Sequence, residues 1–289
     1  MRIFVTGASG WIGSAVVPEL LSAGHHVVGL ARSEESATRV AALGAEVQRG
    51  DLTDTERLAE AAAKSDGVVH LGYHHDFSQM AEAAELDRAA IDAMGSELVG
   101  KPLLFASGLV GVSSESDRPE SGGHPRVANA AAALALADRG VRVVAVRFAP
   151  TVHGRGDHGF VAELARIARE RGVSAYVGDG GNTWPAVHVS DAARLVRLAL
   201  DQAPAGAAVH AVAETGVPTR RIAEAIGRGL GVPVESVPVD EAADKLGWIG
   251  RFFATDLSAS NEATRALLGW EPTGPTLLED LDAGHYTAG

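Results

Sequence analysis

Three glycines at positions 7, 10 and 13 constrain this chain more than any other feature. They stand in Thr6-Gly7-Ala8-Ser9-Gly10-Trp11-Ile12-Gly13. The apolar run Ile3–Thr6 precedes them, and Trp11–Ala23 follows as a helix that Gly24 stops. A strand therefore turns directly into a helix. The spacing is G-x-x-G-x-x-G rather than the commoner G-x-G-x-x-G, but the physical logic is shared. Gly7 permits the tight turn, Gly10 admits a diphosphate against the backbone, and Gly13 lets the helix lie close to the strand. Free N–H groups at the helix start then attract the anion. Thr6, Gly7, Ser9, Gly10, Trp11, Ile12 and Gly13 are the expected cofactor cradle. A plain strand–turn–helix without ligand is the alternative.

Strand-like and helix-like segments go on alternating. His26–Leu30, Glu46–Gln48, Gly67–Leu71, Leu103–Ala106 and Val141–Phe148 read as strands. Ser33, and Thr53 or Asp54, stand where helices start, and helices are also expected from Phe77 to Leu98 and over Ala128–Ala137. Apolar strands without in-and-out alternation, separated by helices, predict a parallel sheet covered on both faces. The second half is less regular. Helices are expected over Phe160–Arg171, Ser190–Asp201 and Thr219–Leu230, with one strand at Val209–Val212. This reading gives a dinucleotide-binding domain over 1–150, returning near 187–213, and a smaller mixed α/β substrate domain over 151–289.

Composition narrows the partners to small molecules. Against 25 Lys+Arg stand 37 Asp+Glu, a net charge of −12 over 289 residues. So acidic a chain lacks the phosphate attraction of a nucleic-acid binder. It also lacks a polybasic stretch to meet an anionic membrane. There is no Cys, hence no disulfide, zinc thiolate or thiol nucleophile. No apolar run is long enough to span a bilayer, and Met1-Arg2 leads straight into a strand rather than a leader, so the cytoplasm is expected. No G-x-S-x-G elbow supports serine hydrolysis. His153, Asp157 and His158 lack a further spaced ligand, so no metal is expected.

Four further segments follow in order: Gly50-Asp51-Leu52, Arg147-Phe148-Ala149-Pro150-Thr151-Val152-His153-Gly154, Val187-His188-Val189-Ser190-Asp191 and Leu268-Gly269-Trp270-Glu271-Pro272. With the glycine loop they make the chain resemble the short-chain dehydrogenase/reductase superfamily, on its extended, epimerase/dehydratase-like side. The resemblance covers nearly the whole chain. It implies a Rossmann-type doubly wound α/β sheet with a smaller C-terminal domain covering the substrate. It implies that Asp51 and Leu52 meet the adenine side, that Pro150 and His153 lie by the nicotinamide, and that Ser107 bonds the substrate oxygen. A homodimer through paired helices is implied in the same way.

The second strand ends at Leu30-Ala31-Arg32-Ser33. An acid there would favour NAD by bonding both ribose hydroxyls. Arg32 instead suits a 2′-phosphate, with Ser33 adding a hydroxyl, so NADP is favoured and NAD is the alternative. The superfamily's proton donor is a Tyr with a Lys four residues on. None of Tyr73, Tyr176 and Tyr286 is followed by such a Lys; at the matching segment stand Arg126 and Ala130. This makes the chain an atypical relative.

Other groups are left to handle the proton. Leu71 and Gly72 close the fourth strand at the cofactor cleft, and Tyr73, His74, His75 and Asp76 follow. His75 is the natural donor near pH 7; alternatively both histidines are loop residues and Asp76 caps the next helix. Tyr73 is a donor or a pocket wall. His153 either serves the nicotinamide or packs. Arg126 meets an acidic substrate group, a cofactor phosphate or only solvent. His158 lies in a glycine-rich loop suited to closing over a ligand. Trp184 is a pocket wall or an interface residue.

The expected function is NADP(H)-dependent hydride transfer with a small carbonyl, imine or related substrate. An already cationic acceptor such as an iminium needs no proton. The alternatives are a non-catalytic NADP sensor and a nucleotide-sugar epimerase or dehydratase.

Overall fold

Apart from the partly exposed edge segment Glu46–Arg49, the apolar runs of the first half become strands buried on both sides. A computed structural model describes residues 1–74, 80–118 and 125–287. In it β1 (Arg2–Thr6), β2 (His26–Ala31), β3 (Glu46–Arg49), β4 (Gly67–His70), β5 (Pro102–Ser107) and β6 (Arg142–Phe148) run parallel. With β10 (Ala207–Ala211) they form one sheet in the order β10-β6-β5-β4-β1-β2-β3. The order reverses between β1 and β4. Such a reversal opens a crevice at the carboxyl ends of the strands, where α/β sheets of this kind bind ligands. The expected α/β, doubly wound parallel class is what the chain adopts.

Helices α1 (Trp11–Ser22), α2 (Glu34–Ala42), α3 (Thr55–Ala63), α4 (Met80–Ser96) and α5 (Pro125–Leu134) connect these strands. Local chemistry sets their starts. Ser33 and Ser36 form a reciprocal capping box on α2, and the Asp54 carboxylate caps α3. The expected helix Ala128–Ala137 begins earlier, at Pro125, and tightens into a 3-10 turn over Ala135–Arg139 that Gly140 ends in the left-handed region. Phe4, Leu58, Val68, Met94, Leu103 and Phe105 fill the layer between sheet and helices. At about 25 cal/mol per Å² of buried apolar surface, this layer is the main stabilising term.

The chain divides into two units. One comprises Met1–Arg147, Ala192–Val209 and Glu262–Trp270; the other comprises Phe148–Asp191, His210–Asn261 and Glu271–Gly289. The second unit holds β7 (Thr151–His153), β9 (Thr183–His188) and β11 (Glu214–Pro218) in a small mixed sheet, and β8 (Ser174–Val177) paired with β12 (Val234–Val237). Helices α6 (Phe160–Arg171) and α8 (Thr219–Leu230) also belong to it, while α7 (Val189–Gln202) runs from one unit into the other. Its core gathers Trp184, Phe253, Ile222, Ile226, Leu164 and Ile249.

Candidate functional site

The glycine loop folds as its spacing requires. Gly7 has φ +66°, and a Cβ there would lie 2.7 Å from the backbone of Leu71 and Gly72. A Cβ on Gly13 would lie 2.0 Å from the Gly7 carbonyl oxygen. Both positions therefore exclude any side chain. The Gly10 amide donates to the Gly7 carbonyl at 2.9 Å, and Gly10 caps α1 with no side-chain acceptor for the helix's first N–H groups. Ser9, Gly10, Trp11 and Ile12 keep exposed surface, whereas Thr6 and Gly13 are buried beneath them. The arrangement fits a diphosphate: a tight glycine turn whose Gly10 end bares the backbone ahead of a 12-residue helix.

A buried polar chain, invisible in the sequence, braces this loop. The Gly72 amide donates to Thr6 Oγ1 at 3.0 Å, and the Thr6 hydroxyl donates to His70 Nδ1 at 2.7 Å. His70 Nε2–H donates to Asp87 Oδ1 at 3.2 Å. Asn129 Nδ2 donates to Asp87 Oδ2 at 3.1 Å and to the Ala84 carbonyl at 2.6 Å. This assignment of hydrogens satisfies the whole chain and fixes the His70 tautomer. β1, β4, α4 and α5 are thus tied together under the loop.

At the β2 tip, Arg32 is exposed and makes no hydrogen bond or ion pair with any described residue. Ser33 spends its hydroxyl on the capping box. Arg49 donates to the Ser33 carbonyl at 2.6 Å and to Glu34 at 2.5 Å, offsetting that acid beside Arg32. Asp51 accepts from the Thr53 amide at 3.0 Å in a turn of its own. Leu52 reaches the neighbourhood of Gly72.

Two sequence candidates 53 residues apart meet. The Arg126 guanidinium lies over the Tyr73 ring, 4.1 Å from its centroid. Tyr73 follows the end of β4 and is half-buried, as Arg126 is at the start of α5. Burial pushes the Tyr73 phenol up from its ordinary value, the Arg126 charge opposes this, and Asp87 adds to it. His74 is exposed alongside. His75 and Asp76 lie outside the described residues.

Ser107 ends β5, paired in register with Arg147 on β6. It lines a cavity of about 50 Å³ with Val127, Ala130, Leu134, Ala145 and Arg147. The wall is mostly apolar, and Arg118 and Arg147 add guanidinium groups to it. Arg147 is buried and donates to the Asp117 carbonyl at 2.7 Å; desolvation holds its pKa below the usual value.

The remaining candidates fall in the second unit. Pro150 is half-buried and His158 exposed. His153, expected beside the nicotinamide, is instead fully buried: its Nδ1 lies 2.6 Å from Asp280 Oδ2 and its ring stands edge-on to His188. Burial lowers its pKa more than Asp280 raises it. That burial fits the packing alternative for His153. Trp184, read from the sequence as a pocket wall or an interface residue, is buried in the core. It has no exposed surface, packs on Phe252 and Phe253, and donates its Nε1–H to the Thr255 carbonyl. Among the described residues no helix is long and apolar enough to cross a membrane, and no group of three His, Asp or Glu is placed to hold a metal.

Residues 7–165 match the NAD(P)H-binding family. The chain belongs to that family. An uncharacterized protein of Schizosaccharomyces pombe is 45% identical over 297 residues, covering 99% of this chain and 100% of that one. The 2-alkyl-3-oxoalkanoate reductase of Stenotrophomonas maltophilia is 30% identical over 229 residues, covering 72% of this chain and 68% of the reductase. Among solved structures, the Thermus thermophilus UDP-glucose 4-epimerase in complex with NAD has the same fold, with TM-score 0.71, 24% identity and coverage of 99% and 98%. Membership of the NAD(P)H-binding family accounts for the loop and for the crevice above it.

Proposed function

We propose that this protein is an NADP(H)-dependent oxidoreductase acting on a small carbonyl, imine or related substrate. The observation that carries the reading is the loop Gly7–Gly13, where neither Gly7 nor Gly13 has room for a side chain, with an exposed, unpaired Arg32 at the neighbouring strand tip. The loop and the α1 start would hold the diphosphate, and Arg32 the 2′-phosphate. Asp51 and Leu52 would flank the adenine side. When bound, the nicotinamide supplies a hydride. Ser107 positions the substrate oxygen, and the cavity of about 50 Å³ beside it takes a small substituent. The likeness to a reductase of 3-oxo acids supports a carbonyl acceptor.

One rival has an observation in its favour. The chain has no Tyr followed by Lys at the fourth residue, which fits a protein that binds NADP without turnover. Epimerisation is the weaker reading, because it rests on that same missing pair.

Calorimetric titration with NADPH and NADH tests the cofactor. A charge-assisted bond to phosphate is worth about 1.5–3 kcal/mol, so Arg32→Ala should weaken NADPH roughly tenfold to a hundredfold. NADH should change less than about twofold. Equal losses for both nucleotides, or none, would remove Arg32 from the phosphate. Binding with no oxidation of NADPH by any of a series of small ketones, quinones and imines would favour the sensor.

A further inference from the structure

We propose that Tyr73 is the general acid of this site and that Arg126, stacked on its ring, positions and tunes it. The assignment rests on the oxidoreductase reading above and names the proton donor that reading lacks.

Placement comes first. Gly72, the residue before Tyr73, packs against Gly7 and donates to Thr6 Oγ1. Tyr73 is therefore anchored beside the loop, at the reversal of strand order between β1 and β4. Ser107 closes the adjacent strand β5, since His70 and Phe105 are in register. A phenol and a hydroxyl thus stand at the carboxyl ends of neighbouring strands, along the crevice.

Chemistry comes second. A phenol keeps its proton at neutral pH and can give it to a developing alkoxide. A guanidinium 4.1 Å from the ring centroid stabilises the ring more as negative charge grows on it. The stack therefore favours the state after proton donation over the state before it, as catalysis requires. Burial holds the phenol protonated, which suits reduction rather than oxidation. As the carbonyl carbon accepts the hydride pair, the C=O π pair moves onto oxygen. The Tyr73 O–H bond breaks and its proton passes to that oxygen. The phenolate is then reprotonated from water. The carbonyl gains the two electrons that the dihydronicotinamide loses.

The test uses the full chain, NADPH and two probes. 9,10-Phenanthrenequinone needs a proton with its hydride; a 3,4-dihydroisoquinolinium cation needs none. Tyr73→Phe should lower quinone turnover by about 10²–10⁴-fold, the usual range for a general acid. It should leave iminium turnover and NADPH affinity within about twofold. Wild-type quinone turnover should fall at alkaline pH, and Tyr73→Phe should abolish that limb. Arg126→Gln should move the limb to higher pH, since the arginine charge lowers the Tyr73 pKa. A merely structural tyrosine would depress both probes alike, and that result, or no change in either, overturns the assignment. Wild-type protein that binds NADPH yet reduces neither probe overturns the oxidoreductase reading along with it. Reduction of both probes, unaltered by Tyr73→Phe, sinks the acid alone.

Discussion

Removing the Asp87 carboxylate should unfasten the first unit from the inside. Its two oxygens hold His70 Nε2 at 3.2 Å and Asn129 Nδ2 at 3.1 Å. Both partners are buried, His70 to 1% exposure and Asn129 to 8%. Asp87→Ala leaves two buried donors without acceptors, at about 1–3 kcal/mol each. The expected loss is therefore about 4 kcal/mol, read as a drop in the urea midpoint of the circular-dichroism transition. A cycle with Asn129→Ala isolates the direct bond. If the bond is real, the double variant loses about 1–3 kcal/mol less than the sum of the singles, because the orphaned amide has gone as well. Additivity within about 0.5 kcal/mol would refute the Asp87–Asn129 link. Because the same chain ends on Thr6 and the Gly72 amide, Asp87→Ala should also weaken NADPH.

Two further outcomes follow from geometry. Gly13→Ala places a methyl 2.0 Å from the Gly7 carbonyl oxygen, so α1 must lift. The expected result is about 1–3 kcal/mol of destabilisation with at least tenfold weaker NADPH binding in titration. Gly24→Ala, at φ +81° in open space, should cost about 1–2 kcal/mol of backbone strain and leave NADPH binding unchanged. Burial depresses the His153 pKa, so its contribution to stability is present above the unfolded value near pH 6.5 and lost as pH falls through the folded value. Glu214 and Asp157, both raised chiefly by burial, act in the opposite sense, contributing below their unfolded values and losing that contribution as pH rises. The readout is thus the difference between wild type and His153→Gln. The wild-type melting temperature should drop further between pH 7.5 and 5; identical drops would dismiss the histidine.

The sheet was legible because its evidence is local. Runs such as Ile3–Val5 and Val143–Val146 are apolar on both faces, so only a doubly covered sheet suits them. The loop was legible because Gly7 and Gly13 meet across six residues. The bracing chain was not. Asp87 reads as a solvated acid on a helix, and His70 as one polar residue ending a strand; only folding brings them together across 17 residues. The Tyr73–Arg126 stack spans 53 residues, and each partner by itself suits a surface. The sequence leaves His153 and Trp184 open between a ligand and packing for a related reason. The residues that pack on them, Asp280 and Phe253, come far later in the chain. In the second half, strands of three to five residues, such as Thr151–His153, are too short to display a period.

The first unit is assembled from three separated stretches of chain. Its latest stretch carries Thr264, whose amide and hydroxyl both bond Glu115 at 2.8 Å, and Trp270, which has no exposed surface. A ribosome has therefore emitted nearly the whole polypeptide before the nucleotide-binding half can close. Cutting a gene fragment at residue 150 would excise an unfinished body, and a stop codon upstream of 262 would abort it even though every glycine of the opening turn had been translated.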